Sequence, residues 1–232
     1  MNDETTRIVL YFVILLISLV FHEVSHGFVA SRLGDKTASD AGLVTLNPFP
    51  HMQREPFGTT ILPLVMLIYS GGTMMMGFAH VPIDATWADR NPRKAALVAA
   101  AGPIANGILA GLAFLGLYLL VENQVADPWP TARDFYWFVT PADPDDGSMV
   151  ALISILTTFL YLNTLLMVFN LMPWPPLDAH LILSGLFPKT VKPFYRAIAQ
   201  QPLVVLVVFV AMIFMVFPEI FRPILRALIN AF

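Results

Sequence analysis

A stretch from Ile8 to Phe21 without a single charged residue runs directly into His22-Glu23-Val24-Ser25-His26. The run reads as membrane-embedded helix, so the ionisable side chains that finish it must be accommodated by the fold. Placing a charged side chain in a bilayer costs about 2.5 to 3.5 kcal/mol on insertion scales, and residues kept there at that cost are normally tied to function. On a helix His22 and His26 stand four positions apart and share one face. Their imidazoles can therefore grip one metal ion while Glu23 stands beside it to move protons, the H-E-x-x-H arrangement. The alternative is a structural hydrogen-bond cluster.

Composition sets the environment. Hydrophobic residues make up 57% and charged residues 12% of the 232 positions, and mean hydropathy is +0.70, values of a polytopic membrane protein rather than a soluble domain. The net charge of -3 is small and dispersed, so nothing suggests a nucleic-acid surface. Cysteine is absent, which excludes disulfides, thiolate ligands and a cysteine nucleophile and leaves His, Asp and Glu to hold a metal. The start, Met1 to Arg7, lacks the positive character of a signal peptide, and no small-residue cleavage site follows. The first helix is expected to stay in the mature protein.

Four segments are long and apolar enough to cross: Ile8 to about Leu33, Ala95 to Val121, Met149 to about Met172, and Pro202 to Phe217 or slightly beyond. Ile61 to Ala79 is also long enough, but Pro63, Gly71, Gly72 and Gly77 interrupt it, which suits a broken or re-entrant segment. Charge placement favours re-entry. Arg32, Lys36, Arg54, Arg90, Arg93 and Lys94 flank this stretch on both sides, and Lys189, Lys192 and Arg196 precede the last span. The connection from Glu122 to Ser148 carries five aspartates against Arg133 alone. Basic loops on the cytoplasmic face and the acidic loop outside give four spans, with both termini outside. Four to six spans fit the length.

Asn170 to His180, with Pro173, Pro175 and Pro176, cannot continue a helix. Broken backbone at membrane depth is tolerated where it lines a wet cavity. Asp178 can there supply an oxygen ligand, completing two nitrogens and one carboxylate with a fourth position left for water. Alternatively the segment is an ordinary proline-rich helix exit and Asp178 caps the next turn.

These motifs resemble the site-2 protease family of intramembrane zinc metalloproteases, in its short prokaryotic form. His22 to His26 matches the family's H-E-x-x-H, and Asn170 to Asp178 matches its N-x-x-P followed by P-x-L-D. Gly102-Pro103-Ile104-Ala105-Asn106 resembles the G-P-x-x-N element, and Asn47 to His51 with Pro56 to Thr59 resembles the loop of short members. The resemblance covers about residues 20 to 185.

It implies an all-α polytopic fold of about four transmembrane helices plus a re-entrant Gly-rich segment or β-hairpin near the site, in a single domain over 1–232 without PDZ or CBS modules. It further implies one Zn2+ held by His22, His26 and Asp178, Glu23 as general base, and Asn170 stabilising the oxyanion. The substrate class implied is a single-pass transmembrane protein, cut within or next to its membrane segment in the bilayer, with the site towards the cytoplasmic side of a prokaryotic cell membrane. Gly71 to Val81, with Gly77 to Pro82 nearest the site, is the expected binding edge; close helix packing is the other use of its glycines.

Ala179 and His180 follow Asp178 where the family usually has glycine. His180 is expected beside the metal site; replacement ligation and a cytoplasm-facing position are the other readings. Asn106 is assigned a packing hydrogen bond, His51 and His80 loop positions, Met74 to Met76 lipid-facing filler, and Arg222 and Arg226 the membrane surface. A catalytically silent helix-binding relative and a metal-ion transporter remain as alternatives, the former opposed by the intact Glu23.

Overall fold

Within a bilayer every backbone N–H and C=O must find its partner inside the chain, and helices are how this sequence satisfies them. The computed structural model describes residues 3–72, 76–128 and 138–232. Helix α1 (Asp3–Leu33) is followed by a single turn, α2 (Thr37–Asp40), and by α3 (Pro48–Arg54). A π-helical turn at Phe57–Ile61 runs into α4 (Leu62–Tyr69), and α5 (Ala85–Arg90) leads to α6 (Pro92–Glu122). Strands β1 (Ala126–Pro128) and β2 (Val139–Pro141) pair antiparallel, Asp127 opposite Thr140, before α7 (Gly147–Asn170). Then come α8 (Asp178–Leu186), α9 (Val191–Ala199), α10 (Pro202–Ala211), a second π-helical turn at Met212–Val216, and α11 (Phe217–Ile229).

The four expected spans are present. Among the described residues α1, α6, α7 and the continuous helical stretch Pro202–Ile229 are the helices long and apolar enough to cross a membrane, and the protein is an all-α polytopic membrane protein. Their boundaries follow local chemistry. Pro92 and Pro202 open α6 and α10, where a missing N–H costs nothing, and the Asp146 carboxylate caps α7 by accepting from the N–H groups of Ser148 and Met149.

Helices α1, α6 and α7 form the core. Ile14, Leu15 and Leu19 of α1 pack on Leu162 and Leu166 of α7. Glycines bring α6 and α7 together: a Cβ on Gly107 would stand 2.9 Å from the Met167 sulfur, and one on Gly116 would stand 3.2 Å from Leu156. Without a hydrophobic drive between helices in lipid, such close packing of small residues is what holds spans together. The last span is peripheral in its first half. Helix α10 has no buried residue, and the Trp174 indole N–H anchors it by donating to the Val205 carbonyl at 3.1 Å, whereas α11 buries Phe221 and Leu225.

The stretch after α3 goes out and returns. Phe78 N–H donates to the Gly58 carbonyl at 3.0 Å, so the start and the end of the excursion lie side by side, level with Leu19 of α1. A Cβ on Gly58 would run into the Phe78 carbonyl oxygen. At the far end Gly71 and Gly72 turn with φ of +60° and +81°, values natural to glycine, and the Arg7 guanidinium donates to the Gly71 carbonyl. The outgoing limb is helical, and the return from residue 76 to 84 has no regular secondary structure. No strand ladder forms here among the described residues, because helix hydrogen bonds already consume the outgoing limb's backbone groups; the β-ribbon lies in the acidic connection instead. Met74 and Met75, with Arg133 and Asp134, lie outside the described residues.

The return limb ends on a carboxylate. Asp35 accepts from the Thr37 N–H at 2.9 Å, from the Thr37 hydroxyl and from the Asp84 N–H at 2.9 Å. Burial opposes its ionisation, but these donors outweigh burial and hold its carboxyl below the usual range.

A chain without cysteine is a ready background for accessibility mapping. Single cysteines at Lys36, Arg54, Lys94 and Lys189 should react with an impermeant maleimide from one face of sealed vesicles, and those at Gln124 and Asp145 from the other. Labelling of Arg54→Cys and Lys94→Cys from opposite faces would refute re-entry.

Candidate metal centre

Helical spacing places Ser18, His22 and His26 on one stripe of α1. Opposite it runs an antiparallel stripe of α6, again every fourth residue: Val98, Gly102 and Asn106. His26 Nδ1 donates to the Val98 carbonyl at 2.7 Å, and His22 Nδ1 meets the Asn106 side-chain oxygen at 2.5 Å. Because a backbone carbonyl only accepts, His26 carries a proton on Nδ1, which in the neutral imidazole leaves the lone pair on Nε2. The two Nε2 atoms lie 3.0 Å apart, with the rings nearly perpendicular at 82°.

Asp178 closes the triangle. It opens α8 immediately after the proline-rich turn, in which the Tyr195 hydroxyl donates to the Pro173 carbonyl at 2.8 Å. Asp178 Oδ2 stands 3.1 Å from His22 Nε2 and 3.4 Å from His26 Nε2, yet it is buried and makes no directed hydrogen bond with either. Ligands about 2.0–2.1 Å from one tetrahedral ion stand roughly 3.3 Å from each other. The three observed separations bracket that value. Three ligand-type atoms thus converge on one point, where a single cation could be held by all of them. The donor set of two nitrogens and one oxygen suits zinc.

Glu23 is 4% exposed, and its carboxylate lies within 4.8 Å of the imidazole nitrogens. Glu23 therefore stands close enough to act on a group bound at the histidine pair. Asn170 ends α7, and its amide donates to the Leu166 carbonyl at 3.0 Å. Glu23, Asn170, Asp178 and both histidines line one cavity of about 650 Å³. Phe78 to Val81 of the return limb line it as well, and residues 79–83 make no backbone hydrogen bond to another described residue. Asp89 and Lys192 contribute a charged wall, Lys192 pairing with Asp89 at 2.7 Å and Arg196 with its other oxygen at 2.7 Å.

Other assignments change. His180 Nδ1 donates to the Leu177 carbonyl at 2.5 Å and its ring meets Tyr195 edge-on at 5.5 Å, and it is not among the residues that line the cavity. One residue along the first turn of α8 carries a side chain about 100° around the axis, and His180 lies two residues from Asp178. His80 pairs with Glu55 at 2.8 Å, and the buried His51 donates to the Thr45 carbonyl at 3.0 Å. Asn106, read from sequence as a packing residue, touches His22 directly. The roles of Asn106 and Gly102 had one signal, their four-residue spacing on α6. Gly102 is required by proximity: a Cβ there would fall against His26 Nε2 and within 2.6 Å of His22 Nε2.

Comparison with known proteins agrees with this architecture. The model of peptidase family M50 matches residues 10–215. YwhC of Bacillus subtilis (strain 168), named as a candidate zinc metalloprotease, is 32% identical over 77% of this chain and 69% of its own length. Rip2 of Mycolicibacterium smegmatis, named likewise, is 32% identical over 71% of this chain, which spans about half (52%) of that protein. Rip2 of Mycobacterium tuberculosis (strain H37Rv) is 31% identical over 84% of this chain and 64% of its own length. No solved structure matches the chain significantly.

Gly102→Ala tests the centre without touching a donor atom. The added methyl should displace an imidazole and weaken zinc binding at least about 10-fold, the scale of lost ligand orientation, in a protein that still purifies as a folded monodisperse species. Unchanged affinity in a zinc-competition titration would contradict the packing described.

Proposed function

The chain belongs to peptidase family M50, the site-2 protease group, and from that membership we propose that it is an intramembrane zinc endopeptidase acting on single-pass transmembrane proteins within or next to their membrane segments. The observation that carries the reading is the triangle of His22 Nε2, His26 Nε2 and Asp178 Oδ2, with edges of 3.0, 3.1 and 3.4 Å, opening on a cavity that also holds a carboxylate and an amide. His22, His26 and Asp178 are the proposed zinc ligands, one ion per chain. Zinc, when bound, supplies Lewis acidity and a water of lowered pKa.

The rest is done by the chain's own groups. Glu23 takes the proton of the attacking water and delivers it to the leaving amine, a role suited to a carboxylate beside the ligand set and facing the cavity. An N–H of Asn170 donates to the oxygen on which negative charge develops; the amide's second N–H keeps its bond to Leu166 and holds the group in place. A substrate helix must unwind before its carbonyl reaches the ligand triangle. The backbone of residues 79–83, unpaired among the described residues, offers the extended segment hydrogen bonds in exchange. The basic flanks of the spans put the site towards the cytoplasmic side of the cell membrane by the positive-inside rule. Residues 1–232 act as one domain in this reading.

Zinc analysis combined with cleavage of a library of single-pass segments in liposomes tests the proposal. Glu23→Gln should keep stoichiometric zinc and lose about 10²- to 10⁴-fold in rate. Asn170→Ala should keep zinc and lose on the order of 10²-fold in kcat. His22→Ala should lose the metal. Cutting by Glu23→Gln at the wild-type rate would sink the proposed mechanism, and a wild type without metal would sink the reading altogether.

A further inference from the structure

Three polar side chains lie buried in the middle of the helix core: Ser18 of α1, Asn106 of α6 and Asn163 of α7, all at 0% exposure. We infer that Asn163 is a positioning residue for the metal centre, fixing through Asn106 the imidazole tautomer of His22 that leaves Nε2 free to bind the ion. The inference rests on the proposed ligation by His22.

The argument starts from groups whose polarity is beyond choice. The Phe159 carbonyl can only accept, and Asn163 Nδ2 lies 2.9 Å from it. The same Nδ2 lies 3.0 Å from the Ser18 hydroxyl oxygen. The NH2 end of the Asn163 amide is thereby fixed, and its oxygen faces Asn106. That oxygen needs a donor, and Asn106 Nδ2 supplies one at 2.8 Å while also facing the Ser18 backbone carbonyl at 3.4 Å. The Asn106 amide is in turn oriented, with its oxygen 2.5 Å from His22 Nδ1. An oxygen there accepts, so Nδ1 holds the imidazole's proton and Nε2 presents its lone pair to the triangle. Reversing either amide would put N–H against Nδ1, send the proton to Nε2 and block ligation.

The relay differs from ordinary polar glue between spans. Glue needs only that each group be paired, and two amides can pair in either orientation. Here one backbone carbonyl at each asparagine selects the orientation, and both selections propagate in the same direction, from α7 through α6 to α1. His26 needs no such relay because the Val98 carbonyl sets its tautomer directly.

The test is a zinc-competition titration of the full-length purified protein and of Asn163→Leu, Asn106→Leu and the double variant, with Thr157→Val as control. Thr157 lies on the same helix, is likewise buried, and its hydroxyl has no hydrogen-bond partner among the described residues. Asn163→Leu should bind zinc about 10- to 100-fold more weakly, the usual range for lost orientation of a ligand. The double variant should bind no more weakly than Asn106→Leu, because one residue acts through the other. Thr157→Val should stay within about twofold of wild type, as a pair outside the relay has no coupling to it. In metal-free protein labelled with 15N-histidine, the His22 resonances should move from the Nδ1–H to the Nε2–H pattern in Asn163→Leu. Zinc affinity within twofold of wild type for Asn163→Leu, or losses that multiply in the double variant, would overturn the relay. Should the leucine variant not fold, Asn163→Ala carries the same expectations. Wild type without zinc would overturn both this inference and the proposed function; zinc binding with the expected coupling but no proteolysis would overturn the proposed function alone.

Discussion

A buried polar group in a membrane protein must be answered by another part of the same chain, and the cluster at His22, Glu23 and His26 is where this demand is greatest. The stripe of Val98, Gly102 and Asn106 answers it from α6, and Asp178 answers it from the break after α7. The rotation of α6 about its axis and its approach to α1 follow from the same requirement. A small residue is needed where the backbone passes over the imidazoles, and acceptors are needed one turn to either side. Gly102 meets the first need; the Val98 carbonyl and the Asn106 amide meet the second. Packing of Ile14, Leu15 and Leu19 on α7 then has only one register in which the polar stripe also closes.

Proline does comparable work at the other end of the site. A continuous α7 would carry the chain past the membrane surface and away from the histidines. Pro173, Pro175 and Pro176 end it, Tyr195 and Trp174 tie the turn to α9 and α10, and α8 begins with the carboxylate already aimed inward. The Asp178 carboxylate therefore comes with little freedom of its own. Such preorganisation lowers the entropic cost of assembling a coordination sphere.

Much of the architecture was legible in the residues. The four spans follow from length and apolarity, and the re-entrant path from basic residues on both its flanks together with Pro63, Gly71 and Gly72. That His22 and His26 share one face of α1 follows from helical spacing alone. What could not be read was interhelical. Whether Asn106 points at His22 or at lipid depends on the rotation of α6, which no local pattern encodes, and its small neighbours suit packing equally well. The contacts of His180 with Leu177 and Tyr195 could not be read either, because the first turn of α8 is only located once the proline segment has folded. The return limb was expected as a possible hairpin, but strand character there depends on its partner, and the partner is helical.

The distance in sequence between the two halves of the triangle governs when the site can exist. His22 and Asp178 are 156 residues apart, with three of the four spans synthesised before the aspartate appears. At roughly 5–20 residues per second, translation leaves the histidine pair without its carboxylate for about 8 to 30 s. Under the proposed ligation the centre stays incomplete through that interval, and its maturation is timed by the ribosome itself.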